Sequence, residues 1–445
     1  MNEKVSSLTP VHPYERIQAL DIMRGVVLCG ILLMNINGFG FAGAYQDPTV
    51  SGGATGLNLY TWITTNLLFE GTMRGLFSLL FGVGMFILID RLEKKGAGLK
   101  SADIYFRRLL YLLVFGLIHG YLLLWTGEIL YDYALMGFLV FSFRHLPPKK
   151  LIIIALILMS IGSFWSYRSH LNNIQLVENV ALAETLESQD KVLSAELKEA
   201  KIKWEGMQEK RSPAYIADYN ENMNKGYIHL VGFLAKENMK TDLVWPYRYD
   251  LWDILSMMLI GIALFKWNVL SAGKSFKFYF LLMFTGYGIG LAVNSYEVNM
   301  ILDSQFDFVA TSKSSITYDL GRLGICMGHI GLILLLCKSN LFQDLKRRMA
   351  AVGKMALTNY VMHSIICMFI FTGVGFGMFG KLQRFELLYV VFGIWIFQLM
   401  VSPIWLKYFH FGPLEWLWRN LSYQKIHPIR KTKTIPAAPV SPAGI

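Results

Sequence analysis

The sequence predicts an all-α polytopic membrane protein of about ten transmembrane helices. Three observations predict it. Of the 445 residues, 54% are hydrophobic and only 16% charged, against about 25% charged in an ordinary soluble domain. Apolar runs of roughly 20 residues, the length a helix needs to cross a bilayer, recur from Asp21 to Trp405. The lysines and arginines fall in alternate loops between those runs, as expected where one side of a membrane retains positive charge.

Taken in order, the expected spans cover residues 20–40, 72–91, 106–125, 129–143, 151–167, 251–267, 278–295, 316–337, 355–375 and 387–406. Residues 57–69 read as a helix lying along the interface or re-entering it. Arg16 precedes the first span. Arg91, Lys94, Lys95, Lys100, Arg107 and Arg108 follow the second, and Arg144, Lys149 and Lys150 the fourth. Lys266, Lys274 and Lys277 follow the sixth, Lys338, Lys346, Arg347 and Arg348 the eighth, and Lys407, Arg419, Lys425, Arg430, Lys431 and Lys433 lie in the tail. The loops 42–66 and 126–128 have no basic residue, so both termini are expected in the cytoplasm.

Four parts are expected: an N-terminal membrane half (1–168), an extracytoplasmic helical cap (169–247), a C-terminal membrane half (248–423) and a tail (424–445). In the cap, Leu176, Val180, Leu186, Leu193 and Leu197 repeat at helical spacing, predicting an amphipathic helix over 172–211 paired with another over 215–236. The cap is either a solvated structural piece or a lid. The Pro/Ala-rich end, 436–445, is expected to be disordered.

Several classes drop out. The net charge of +11 comes without a basic stripe interleaved with aromatics, so nucleic acid is not expected as a partner. Cys29, Cys326, Cys337 and Cys367 lie in or beside apolar spans with no metal or redox spacing. His119, His329 and His363 are scattered over different spans, so no metal is expected, and His329 reads as a hydrogen-bonded packing residue. No phosphate-binding glycine loop or dinucleotide fingerprint is present. The first apolar run contains Asp21 and Arg24 and lacks a signal-peptidase site.

Charges inside spans cost roughly 2.5–3.5 kcal/mol each on insertion scales, so each needs a partner or a function. By depth they form two belts. The inner one holds Asp21 and Arg24, three residues apart and hence on one helix face, with Arg107 and Arg108 on the third span and Asn359 and His363 on the ninth. It is either an interfacial ion pair with snorkelling arginines or an anion site for a phosphorylated donor. The outer belt holds Glu70, Arg74, His119, Glu128, Asp132, Arg248, Asp250, Asp253, Asp319 and Arg322, with Trp125, Trp245 and Trp252 beside them. This clustering suggests a polar cavity. His119 could serve as general base, with Glu128 or Asp132 fixing its tautomer, and Arg74 as partner to an anion or oxyanion. The same carboxylates would suit a proton-coupled transporter.

The stretches RIQALDIMRG (16–25), FEGTMRGLFSLLFGVGM (69–85), HGYLLLWTGEILYDYALMG (119–137), GKMALTNYVMHSIIC (353–367), FGKLQRFELL (379–388) and SPIWLKYFHFGPLEWLWRNLSY (402–423) resemble the bacterial YeiB-like membrane proteins, domain-of-unknown-function family 418. The start of the first span, Leu20, Asp21, Arg24 and Gly25, is also distantly similar to heparan-alpha-glucosaminide N-acetyltransferase and to the transmembrane acyltransferases of bacterial surface glycans. That resemblance implies a bacterial inner-membrane enzyme carrying an acyl group from cytoplasmic acyl-CoA to a glycan or small-molecule acceptor on the opposite face. The donor would sit near Asp21, Arg24, Arg107, Arg108, Asn359 and His363, and the chemistry near Glu70, Arg74, His119, Glu128 and Asp132. Where the acetyltransferase has a histidine before its second span, residues 61–71 have none. Where the glycan enzymes have one late in the first span, Asn35 and Asn37 stand. Acyl transfer would then fall to His119 or Glu70. Self-association is left open.

Overall fold

The computed structural model describes residues 17–44 and 48–431. Arg16, Lys433 and the 436–445 end lie outside them. The described chain is all-helical, and its helices in order are α1 (Gln18–Gly40), α2 (Gly56–Leu68), α3 (Thr72–Lys94), α4 (Leu99–Tyr121), α5 (Leu130–Phe143), α6 (Pro148–Ser188), α7 (Ala195–Glu209), α8 (Pro213–Met223), α9 (Tyr227–Trp245), α10 (Ile254–Lys266), α11 (Phe276–Asp303), α12 (Phe308–Ser314), α13 (Tyr318–Lys338), α14 (Gln343–Lys354), α15 (Ala356–Phe371), α16 (Leu387–Tyr408) and α17 (Pro413–Tyr423).

Six helical segments are long and apolar enough to cross a membrane, and a seventh if α14 and α15, bent by 83° at Met355, form one broken span. The expected count of ten is finer than this. Each expected span does fall on a helix, but α5 and α10 have 14 and 13 residues. At 1.5 Å per residue these reach about 20 Å, short of a hydrocarbon core of about 30 Å. The expected sixth span starts at residue 251, whereas α10 starts at Ile254, after a π-helical turn, Pro246–Asp250, and a short turn over 251–253.

Burial separates centre from rim. The apolar window of α1 is 78% buried and those of α6 and α11 only 17%, so α1 is interior and α6 and α11 present wide apolar faces outward. Residues Ile254–Ala263 of α10 are all buried, and with α1, α3 and α13 they hold the main core. Close approach of α1 and α14 depends on glycine: a Cβ on Gly353 would collide with the Asp21 carbonyl oxygen. The α2–α3 turn likewise requires Gly71, whose φ of 61° is a left-handed conformation costly to other residues.

The cap differs in detail from the expected helix pair. The 41-residue α6, about 60 Å at the standard rise, passes through residue 168 without a break. Ser194 and Ser212 then cap α7 and α8 by accepting from Leu197 N and Tyr215 N, which divides the expected 172–211 helix in two. The second expected helix, 215–236, is likewise split at 224–226, between α8 and α9. The cap docks on the bundle through Asn238 Nδ2 to the Gly120 carbonyl (2.7 Å), the Tyr227 hydroxyl to the Leu122 carbonyl (2.8 Å) and Gly373 N to the Met223 carbonyl (3.0 Å).

Candidate functional site

At one end of the bundle, the start of α1 and the last described helix, α17, line the same cavity of about 280 Å3. The described chain therefore begins and ends at one end. The break between α14 and α15 supplies part of the wall. Five cations face this basic cavity, Arg24, Arg91, Arg108, Lys354 and Arg419, against two carboxylates, Asp21 and Glu415.

Local chemistry fixes these side chains. Arg24 Nη1 donates to Asp21 Oδ1 at 3.1 Å, the i, i+3 pairing the spacing predicts. The Arg108 guanidinium lies 3.6 Å from the centre of the Trp418 ring, a cation–π contact, while Trp418 Nε1 donates to the Arg108 carbonyl at 2.8 Å. Arg419 stacks 4.2 Å over Phe411. Glu415 caps the broken helix: its Oε1 accepts from Leu357 N (2.7 Å) and Thr358 N (3.1 Å), and its Oε2 from the Thr358 hydroxyl (2.5 Å). These are the donors left free at a helix start. Burial nonetheless pushes the Glu415 carboxyl above its usual range.

Of the residues expected to hold a donor, Asp21, Arg24 and Arg108 line this cavity and Arg107, Asn359 and His363 do not. Arg107 pairs with Asp103 and donates to the Ser422 carbonyl (3.2 Å), bracing α17 from outside. Asn359 bonds Ser402 Oγ (3.1 Å) and His363 bonds Gln398 Oε1 (3.1 Å), so both face α16.

Deeper in the bundle, Tyr360 forms part of the cavity wall and meets the His119 ring edge to face, 5.0 Å between centres. His119 is 1% exposed. Its Nδ1 lies 3.2 Å from Glu128 Oε1 and its Nε2 2.6 Å from Ser364 Oγ. Glu128 also accepts from Leu130 N (2.7 Å) and Tyr131 N (2.8 Å) at the start of α5. That double duty holds the carboxylate still. Above His119 lies a space of about 20 Å3 walled by Trp125 and Cys367 and by the cap residues Tyr219, Met223 and Leu234.

The remaining charges of the outer belt form a separate network. Asp253 pairs with both Arg74 and Arg322, and Arg322, 1% exposed, also pairs with Asp319 at 2.7 Å. Asp132 faces Asp250 rather than His119, within electrostatic range of Glu128 and Arg74. Arg248 turns to Trp165, 4.9 Å from its ring centre. Glu70 lies 3.4 Å from the Tyr318 hydroxyl and faces a second, polar cavity of about 260 Å3, lined also by Trp62, Asn66, Asn294, Glu297, Arg322 and Arg384. The five expected catalytic residues are thus divided. Glu128 joins His119, Asp132 joins Asp250, Arg74 joins Asp253, and Glu70 opens on the polar cavity. His329 is a bridging residue, bonded to the Tyr287 hydroxyl (2.6 Å) and the Leu68 carbonyl (3.0 Å).

Sequence reasoning did not single out Ser364, Glu415, Glu297 or Arg384. Only ionisable residues inside apolar spans carry an insertion cost large enough to stand out. Serine carries no charge, and the other three lie outside those spans.

A bundle of apolar helices with buried ion pairs, broken at α14–α15 and capped on one end, defines a membrane protein. The family described as "Protein of unknown function (DUF418)" matches residues 264–425. Over 443 residues, 96% of this chain and 100% of the relative, it is 30% identical to "Uncharacterized protein YxaH" of Bacillus subtilis (strain 168). It is also 30% identical over 435 residues to "Uncharacterized protein YeiB" of Escherichia coli (strain K12), covering 94% and 99% of the two chains. A third relative, "Uncharacterized 39.9 kDa protein in amylase 3'region" of Bacillus acidopullulyticus, is 24% identical over 428 residues, 95% of this chain and 98% of its own. The chain belongs to the YeiB-like DUF418 family. No solved structure matches it.

Proposed function

We propose that this protein is a transmembrane acyltransferase of the bacterial inner membrane, crossing it ten times with both termini in the cytoplasm. An acyl-CoA donor occupies the basic cavity. Its phosphates meet Arg24, Arg91, Arg108, Lys354 and Arg419, and its thioester end points inward to Tyr360. His119 is the base, Glu128 fixes its tautomer, and the acceptor, a glycan or small molecule, approaches from the cap side. One observation carries this reading: a cavity with five cations against two carboxylates ends on the residue that packs against a buried His–Glu pair. Excess guanidinium groups at a partly enclosed, aromatic-lined site suit phosphate better than water.

Thermal unfolding of the purified protein with short-chain acyl-CoAs tests it. A ligand that binds only the folded form raises the midpoint. Stabilisation by acetyl-CoA, lost in Arg24→Ala, is expected; no stabilisation of the unaltered protein by any short-chain acyl-CoA overturns the reading.

The polar cavity favours a second reading, a proton-coupled transporter. Glu70 and Glu297 face one space there, and Asp132 and Asp250 face each other nearby. This reading requires proton-dependent substrate flux in liposomes, abolished by Glu70→Gln. An acyltransferase whose base is His119 keeps its turnover in the same variant.

A further inference from the structure

We propose that Ser364 is the nucleophile of this site and carries the acyl group as an ester between donor and acceptor. The proposal rests on the acyltransferase reading above and adds a covalent intermediate to it.

The geometry comes from three elements. Ser364, on α15, is 1% exposed, and its Oγ lies 2.6 Å from His119 Nε2 on α4. The other ring nitrogen of His119 lies 3.2 Å from Glu128 at the start of α5. A carboxylate on Nδ1 places the ring proton there and leaves Nε2 as the acceptor for the serine hydroxyl. Hydroxyl, imidazole and carboxylate in this order are the parts of a nucleophile activated by an oriented base, an arrangement recognised by geometry and not by chain order.

Its position in the bundle argues for a carrier. Tyr360, Ser364 and Cys367 succeed one another at i, i+4 and i+7 and so share a face of α15. Tyr360 lines the basic cavity and Cys367 the small space beneath the cap, and the two cavities share no residue. Ser364 lies between them, in the layer that separates them. A donor held below and an acceptor held above do not touch, so direct transfer would need the layer to open to both at once. A serine in the layer lets the halves of the reaction happen in turn, with Tyr360 swinging aside for the first. The tight packing round Ser364 selects the smallest acyl groups, acetyl first.

The steps balance. Ser364 Oγ attacks the thioester carbonyl carbon and its proton passes to His119 Nε2. The carbon–sulfur bond breaks, the thiolate takes that proton and free CoA leaves, with the acyl group now an ester on Ser364. An acceptor hydroxyl or amine then attacks the ester carbonyl and gives its proton to Nε2. The bond to Ser364 breaks, and Oγ recovers the proton. Glu128 stabilises the imidazolium in both halves without itself accepting a proton.

The test is to incubate the full-length purified protein with radiolabelled acetyl-CoA and no acceptor. A burst of about one equivalent of free thiol per chain is expected, with label retained on the 356–371 peptide as a hydroxyl ester. Ser364→Ala should reduce the burst at least tenfold while acetyl-CoA still raises its unfolding midpoint, which shows that the variant is folded and binds donor. Ser364→Cys should acquire a label released by neutral hydroxylamine, the lability of a thioester, which a merely structural hydroxyl would not produce. Retention of the burst in Ser364→Ala, label on another residue, or donor binding and steady turnover without any adduct overturns the carrier and leaves the acyltransferase standing. Failure of acetyl-CoA and every other short-chain acyl-CoA to bind overturns both.

Discussion

The basic cavity and the Arg74–Asp253–Arg322–Asp319 network use the same kinds of residue to opposite ends. In the network each guanidinium has a carboxylate partner, and Asp253 serves two of them. The charges there are matched in pairs that tie α3, α13 and the start of α10 together. In the cavity, five cations face two carboxylates, and Arg108 and Arg419 lie against aromatic faces. A stack holds a guanidinium in place while leaving its N–H groups able to meet an anion. The contrast separates charge that ties helices together in pairs from charge gathered round a cavity.

The sharpest way to break the contrast is Asp253→Ala, with the largest expected effect. It leaves Arg74 and the fully buried Arg322 facing each other without the shared carboxylate. Stranding a buried charge costs about 3–5 kcal/mol; here Arg322 keeps Asp319 while Arg74, 32% exposed, loses its direct carboxylate, so the loss should fall towards the lower end. The variant should show a marked fall in its unfolding midpoint in detergent and loss of a monodisperse peak on size exclusion. An unchanged midpoint would mean that the network is solvated and belongs with the ligand-binding charges. Next in size is Arg108→Ala, which should weaken acyl-CoA binding by about 10–100-fold, the worth of one charge-assisted contact at 1.5–3 kcal/mol. Titration by fluorescence or calorimetry reads this directly. Its unfolding midpoint without ligand should move far less than that of Asp253→Ala.

The sequence made much of this legible because charge inside an apolar run stands out. Asp21 and Arg24 pair as their spacing requires, and Glu128 reaches His119 across the short turn between α4 and α5. Pairing between distant segments was not legible. Asp132 sits one helical turn from Glu128, yet the π-helical turn at Pro246–Asp250 brings Asp250 to meet it. Asn359 and His363 share a face of α15, but α16 covers that face with Gln398 and Ser402. Ser364 shares with Tyr360 a face about 100° further round the helix and gave no signal, since a hydroxyl in an apolar helix costs too little to demand explanation. Hydropathy measures apolar length alone and does not show that the short α10 is wrapped by its neighbours along Ile254–Ala263.

The smallest expected effect is also the finest test of which charges the cavity uses. Arg107 and Arg108 are adjacent on α4, about 100° apart round the helix axis, and nothing local tells them apart. The distinction comes from α17, some 310 residues away, whose Trp418 takes the Arg108 guanidinium while Arg107 pairs with the exposed Asp103. Exposed pairs contribute about 0–1 kcal/mol, and the remaining bond from Arg107 goes to the Ser422 carbonyl at the end of α17. Arg107→Ala should therefore leave acyl-CoA affinity within about twofold of the unaltered protein and shift the unfolding midpoint only slightly. If instead it matches Arg108→Ala in lost affinity, the cavity is recruiting charge by proximity alone, and the stacked guanidinium of Arg108 has no special part in holding the donor.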